Sequence, residues 1–209
     1  MMGPGERPRP ASLAIPGLPR PLRWLVPAPR HEQLADGALT IDAGPRTDWF
    51  IDPGTGVSTR SAPALLMPAP GTWQLAAFVS AAHRATFDAG VVFVYAGAET
   101  WAKLCLERSP QGDVMVVSVA TRGVSDDCNS LSVDDRGLHL RVSRLETAFA
   151  FHCSDDGTEW RLVRYFGLGA VEEVEVGFIA QSPTGEGCTA TFRQITFRPE
   201  LLTDLRSGA

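Results

Sequence analysis

The sequence predicts an all-β protein built as a two-sheet antiparallel sandwich, and three observations carry that expectation. From Leu22 onward the chain consists of short apolar runs broken by turn residues. Nowhere does an i, i+3, i+4, i+7 stripe persist for three helical turns. The breaks between runs carry hairpin chemistry: Ala96-Gly97-Ala98-Glu99, Ser109-Pro110-Gln111-Gly112 and Asp155-Asp156-Gly157 supply the Gly, Pro or Asp-Gly that tight turns require.

Taken in order, the runs predict strands over Leu22–Val26, Ala38–Asp42, Trp73–Ser80, Gly90–Tyr95, Trp101–Glu107, Val114–Thr121, Leu138–Arg144, Ala148–Ser154, Trp160–Tyr165, Glu173–Ala180 and Ala190–Phe197. Alternation assigns their faces. Val174, Val176 and Phe178 oppose Glu173, Glu175 and Gly177, while Leu138, Leu140 and Val142 oppose His139, Arg141 and Ser143, so each of these strands is expected to have one wet face.

The chain of 209 residues is long enough for one sandwich domain. Residues 1–20, rich in Pro, Gly and Arg, read as a flexible arm, 21–199 as the β-sandwich and 200–209 as a tail. No apolar stretch reaches the roughly 18 residues of a membrane span, and the proline-rich start does not resemble a secretory signal, so a cytoplasmic protein without membrane contact is expected. A net charge of −5 with scattered basic residues excludes nucleic acid as a partner class. Cys105, Cys128, Cys153 and Cys188 are widely spaced and expected to be reduced.

The most informative strand is Trp101-Ala102-Lys103-Leu104-Cys105-Leu106-Glu107. Period two places Ala102, Leu104 and Leu106 on a core face, and Trp101, Lys103, Cys105 and Glu107 on the other. An aromatic plate, a cation and a carboxylate on one rigid face suit a polyhydroxylated ligand. Spacing alone favours the plainer reading, an ordinary solvated ladder worth under about 1 kcal/mol.

A series of short motifs in order carries a family resemblance: Trp24 with Pro27; Thr47-Asp48-Trp49; Phe87-Asp88-Ala89-Gly90; Trp101-Ala102-Lys103 with Glu107; Ser125-Asp126; Ser154-x-Asp156-Gly157-x-x-Trp160 with Arg164; and Ser182-Pro183. With these the chain resembles, over roughly Leu22 to Phe197, the concanavalin A-like domain of unknown function typified by the regulation-of-enolase protein. The resemblance implies a jelly-roll sandwich related in fold to legume lectins and glucanases, with a concave sheet facing ligands. It also implies that Asp48, Trp101, Lys103, Glu107 and Asp126 lie at the family's recurring polar and aromatic positions. Two departures stand out: Asp88-Ala89-Gly90 replaces the family's Asp-Gln-Ala-Gly, and Asp127-Cys128 stands where relatives carry Trp-Ser. An acidic residue in place of an aromatic makes the expected cleft less suited to stacking.

Other constellations are weaker. No Glu-x-Asp-x-Glu string of the glucanase kind occurs, Glu172-Glu173-Val174-Glu175 has an ordinary solvated explanation, and the four histidines show neither triad nor metal-ligand spacing. Gly54-Thr55-Gly56 and Gly167-Leu168-Gly169 lack the context of phosphate loops, so no cofactor and no metal are expected. The leading reading is a protein that binds a carbohydrate or similar small molecule on its concave sheet: Trp101 stacks, Lys103 donates, and Glu107, Asp48 and Asp126 accept, with Tyr95, Asp88 and Asp127 completing the ligand-binding set. Two alternatives stay open. One is an enzyme in which Glu107 or Asp126 is general acid or base and Lys103 stabilises negative charge; the other is a module whose sheet docks a protein partner.

Overall fold

A computed structural model describes residues 12–209. Seventeen strands form two large antiparallel sheets and one short hairpin. In the eight-stranded sheet the order is β1 (Ser12–Leu13), β2 (Leu22–Val26), β7 (Ala64–Pro68), β16 (Glu175–Gln181), β9 (Ala89–Gly97), β10 (Thr100–Arg108), β11 (Val114–Arg122) and β12 (Val124–Val133). The seven-stranded sheet runs β15 (Arg161–Phe166), β14 (Phe149–Ser154), β13 (Leu138–Arg144), β8 (Trp73–Ala81), β17 (Cys188–Arg198), β4 (Leu39–Ala43) and β3 (Arg30–Gln33). The hairpin pairs β5 (Trp49–Ile51) with β6 (Ser58–Arg60). The expected two-sheet antiparallel sandwich is therefore the fold, and no helix among the described residues is long and apolar enough to cross a membrane.

The sandwich interior follows from alternation. Leu75, Ala77 and Val79 of β8, Leu138, Leu140 and Val142 of β13, and Phe192 of β17 meet Val92 and Val94 of β9, Leu104 and Leu106 of β10, and Phe178 of β16. Gly90 sits at a point of close approach between the sheets, where a Cβ would lie 2.7 Å from Val79 Cγ1 and 3.2 Å from Ala190 Cβ.

All eleven expected strands are present, with ends shifted by a residue or two. The strands that periodicity missed are the short β1, β3, β5, β6 and β7 and the long β12, whose Ser-Asp-Asp-Cys-Asn-Ser sequence is largely exposed along a sheet edge. The arm reading needs correction where it is testable. Ser12–Leu13 pairs with β2, Ile15 is buried and Leu18 packs on the core, so only residues 1–11 lie outside the described residues. The tail also has structure, because 200–209 folds back over the outer face of the seven-stranded sheet. There Gly208 O accepts from Arg141 Nη2 at 2.5 Å, and Leu205 O accepts from His152 Nε2 at 2.9 Å. This tail buries Arg141 and Ser143, which had been expected on a wet face. The four cysteines are free.

Leu104 has no exposed surface at the centre of the interior. Leu104→Ala should lower unfolding free energy by about 2–5 kcal/mol through lost burial and a residual cavity, measured by urea unfolding.

Candidate functional site on the outer face of the eight-stranded sheet

Register fixes which side chains share the site face. Along one row Trp101 pairs with Tyr95 and Thr121; along the next, Lys103 pairs with Phe93 and Val119, and Val119 with Asp127. Cys105 lies between Val91 and Val117, and Glu107 between Ala89 and Met115, with Gln181 of β16 opposite Ala89. All of these point away from the sandwich interior.

This outer face is covered rather than wet. The excursion 44–62, carrying the β5–β6 hairpin, lies across it and forms a second apolar cluster in which Trp49, Ile51, Ala62, Phe93, Trp101, Cys105 and Ile179 are buried. Hydrogen bonds fasten the excursion to the sheet, where Ile51 N donates to Ser125 Oγ (2.9 Å) and Arg60 Nη1 to Ala98 O (2.7 Å), and Trp49 Nε1 closes it on itself by donating to Ala62 O (2.8 Å). The Trp49 ring meets Trp101 edge-on with centroids 5.4 Å apart.

Within this apolar layer lies a continuous polar chain. Lys103, 2% exposed and the only lysine in the sequence, donates from Nζ to Asp48 Oδ1 at 2.9 Å and to Gln181 Oε1 at 3.0 Å. Gln181 Nε2 in turn lies 3.3 Å from Glu107 Oε2 and 3.2 Å from Phe87 O. Phe87 adopts a left-handed backbone with φ 70°, uncommon for a bulky residue, and its amide donates to Arg108 O. Asp48 Oδ1 also accepts from Trp49 N at 2.7 Å. An ammonium has three donors, and among the described residues the third Nζ hydrogen and Asp48 Oδ2 have no partner.

Burial would lower the Lys103 pKa, but the charge of Asp48 and its hydrogen bond, with Cys105 and Glu107 close by, outweigh it and hold the pKa above the ordinary value. Glu107 responds in the opposite sense. Burial, opposed by Lys103 and reinforced by Asp48 and Asp127, pushes its pKa up to about 8, so at neutral pH the carboxyl largely keeps its proton. Burial likewise pushes the Cys105 thiol up, leaving it an unreactive neutral group.

Several sequence expectations change against this geometry. Trp101 has no exposed surface, and its Nε1 has no hydrogen-bond partner. It is a packing residue beneath Trp49 and not an open stacking plate, because the excursion covers the face that alternation alone leaves bare. Asp126 is opposite Ala120 and Ala102, one residue out of phase with Asp127, and its carboxylate pairs with Arg164 Nη2 at 3.0 Å on the side of the seven-stranded sheet. It therefore points away from Lys103. Asp88 is fully buried and ties a turn: Oδ2 accepts from Arg84 N and Ala85 N, and Oδ1 accepts from Ser182 Oγ at 2.6 Å. Tyr95 is half-buried with its ring edge on Trp49, and Asp127 is exposed on the Lys103 face.

Asp48, Lys103 and Glu107 do come together, joined by Gln181, which sequence reasoning missed. A signal was present: Gln181 is polar at the end of the apolar run Val176 to Ala180, in phase with Glu175 and next to Ser182-Pro183. Phe50, whose ring centroid is 5.9 Å from Lys103 Nζ, was also missed, since nothing in its short strand shows what it faces. Asp156 acts as expected in a turn. Its Oδ1 accepts from Thr158 N, Glu159 N and Ser154 Oγ, with the Glu159 amide foremost in holding its carboxyl well below the usual range. Among the described residues no group of three or more His, Cys, Asp or Glu is placed to hold a metal.

The fold is an antiparallel β-sandwich of the kind found in glycoside hydrolase chains and carbohydrate binding modules. Within that class the chain belongs to the DUF1349 family of proteins of unknown function, whose profile matches residues 24–200. No curated protein matches it in sequence. A functionally unknown protein from Saccharomyces cerevisiae is similar at 24% identity and TM-score 0.80, covering 86% of this chain and 97% of that one. The carbohydrate binding module CBM66 from Bacillus subtilis is similar at 13% identity and TM-score 0.54, covering 84% and 94%. The GH43 protein BlXynB from Bacillus licheniformis gives 13% identity and TM-score 0.64, covering 78% of this chain and 33% of that one.

Lys103→Met leaves Asp48 without its buried counter-ion and should cost about 2–4 kcal/mol, part of which Asp48→Asn should restore in a double-mutant cycle by denaturant unfolding. Glu107 generates a pH dependence. Its carboxyl ionises near 4.5 in the unfolded chain and near 8 in the fold, so between these values the folded state binds more protons. Stability contributed by this group is therefore fully present below the unfolded value, falls as pH rises through the window, and levels off above about 8. Glu107→Gln should abolish that decline in denaturation curves recorded across the window.

Proposed function

We propose that this protein binds a carbohydrate, or a small molecule with the same array of hydroxyl groups, at the edge of the excursion where Asp48, Phe50, Lys103 and Glu107 meet. One observation carries the reading. A buried ammonium with an unused donor lies beside a carboxylate whose second oxygen is unused and whose side chain is 19% exposed. A vicinal diol supplies the complement, one hydroxyl accepting from Lys103 Nζ and its neighbour donating to Asp48 Oδ2. Gln181 holds the ammonium in place, and the half-buried Phe50 ring offers the apolar wall that Trp101 does not. The occurrence of this sandwich in a carbohydrate binding module supports the ligand class.

A second reading rests on Glu107, whose carboxyl is held protonated at neutral pH within this cluster and could serve as a general acid. Glu107→Gln separates the two, because it preserves shape and hydrogen bonding but removes the ionisable proton.

Isothermal titration with a panel of neutral mono- and oligosaccharides tests the proposal. Binding by the wild-type protein should weaken about tenfold or more in Asp48→Asn, which loses a charged hydrogen bond worth roughly 1.5–3 kcal/mol. Glu107→Gln should bind nearly as well as wild type if the site only binds, and should lose about 10²-fold in rate if it also turns a glycoside over. Failure of every sugar to bind, or equal binding by Asp48→Asn, would overturn the assignment.

A further inference from the structure

The outer face of the other sheet holds a second polar site. Between the folded-back tail and strands β8, β13 and β17 lies a cleft of about 520 Å³, lined by Gln74, Arg141, Trp160, Gln194, Thr196 and Arg198 among others. Arg141 is 6% exposed. Its guanidinium lies over the Trp160 ring at 4.1 Å and gives one hydrogen bond, to Gly208 O, while Nε has no partner. Ser143 Oγ and His152 Nδ1 are likewise buried without partners, so three of the four such side-chain atoms among the described residues belong to this face.

Two guanidinium groups, Arg141 and Arg198, line the cleft. Burial foremost, and then the positive charge of Arg198, lower the Arg141 pKa to about 10. Among the described residues neither is in a salt bridge. Of the acidic groups lining the cleft, Asp156 is engaged by the amides of its own turn, Glu200 is exposed, and Ala209 O accepts from Thr203 N and Asp204 N. Strand β17 is bulged between Arg193 and Thr196, and Gln194, one of the cleft-lining residues, has the left-handed φ of 50°. A bulge with a non-glycine residue in that region is a device for re-aiming side chains beside a site.

We infer that this cleft binds a small hydroxylated carboxylate, a sugar acid in preference to a neutral sugar, with its carboxylate on Arg141 and Arg198 and its hydroxyls toward Gln74, Gln194 and Thr196. Two planar guanidinium groups match a planar carboxylate in charge and donor geometry. A single negative charge suits the cleft better than a phosphate dianion, since Asp156 and Glu200 also line it. The volume lies in the range of small-molecule sites.

Isothermal titration with glucuronate, glucose and inorganic phosphate tests the inference on the full chain, with only the binding lost in Arg198→Gln assigned to this cleft so that the excursion site is kept apart. Glucuronate should bind with at least tenfold preference over the other two. Arg198→Gln, an exposed position whose change leaves the core intact, should reduce glucuronate binding about tenfold or more at an unchanged melting temperature. Arg141→Lys, which keeps the charge but loses the fork, should weaken it as well. Absence of glucuronate binding, equal binding of phosphate or glucose, or full binding by Arg198→Gln would each overturn the inference.

Discussion

An eight-stranded sheet with apolar side chains on both faces must be covered twice. In this protein the seven-stranded sheet covers one face and the 44–62 excursion covers the other. The second cover decides the character of the site, because it removes Lys103, Glu107 and Gln181 from water. Once the cover is in place, each of these groups must find a partner in the protein or change protonation state. Lys103 and Gln181 do the first, and Glu107 does both. The site is thus a consequence of double burial, and its electrostatics depend on the excursion remaining docked.

Sequence periodicity identifies strands and relative phase, and both were legible. Eleven of the strands, the hairpin turns and the shared face of Trp101, Lys103 and Glu107 follow from alternation and turn chemistry. What alternation cannot express is whether a face opposite the core is bare. Trp101 and Lys103 read as solvent-facing because polar and aromatic residues alternate with Ala102, Leu104 and Leu106, yet the covering segment is a loop with two three-residue strands and no periodic signal. The same limitation applied to Arg141 and Ser143, hidden beneath a tail whose Leu-Leu-Thr-Asp-Leu-Arg sequence is too short to show a period. Asp126 and Asp127 show the converse difficulty. Adjacent acidic residues are interchangeable in a motif, but only register distinguishes the one facing Lys103 from the one facing Arg164.

Both outer faces solve the same physical problem by different means. The excursion forms a largely apolar layer with one internal polar chain, whereas the tail is attached through backbone carbonyls to Arg141, His152 and Gln74. Of the three tail contacts only the one from Arg141 is charge-assisted, because Gln74 is neutral and burial lowers the His152 pKa to about 4. The close fit of the tail is evident at Gly208, which has φ 71° and where a Cβ would lie 2.3 Å from Arg141 Nη2.

The solitary lysine has a practical consequence for following the molecule in solution. Every other cationic side chain is arginine or histidine, so amine-selective acylation has a single side-chain target, and that target lies under the excursion. Its modification rate reports how often the cover lifts, as a chemical clock for one local opening without mutation or an attached probe. Any molecule that settles at the edge of the excursion slows the clock.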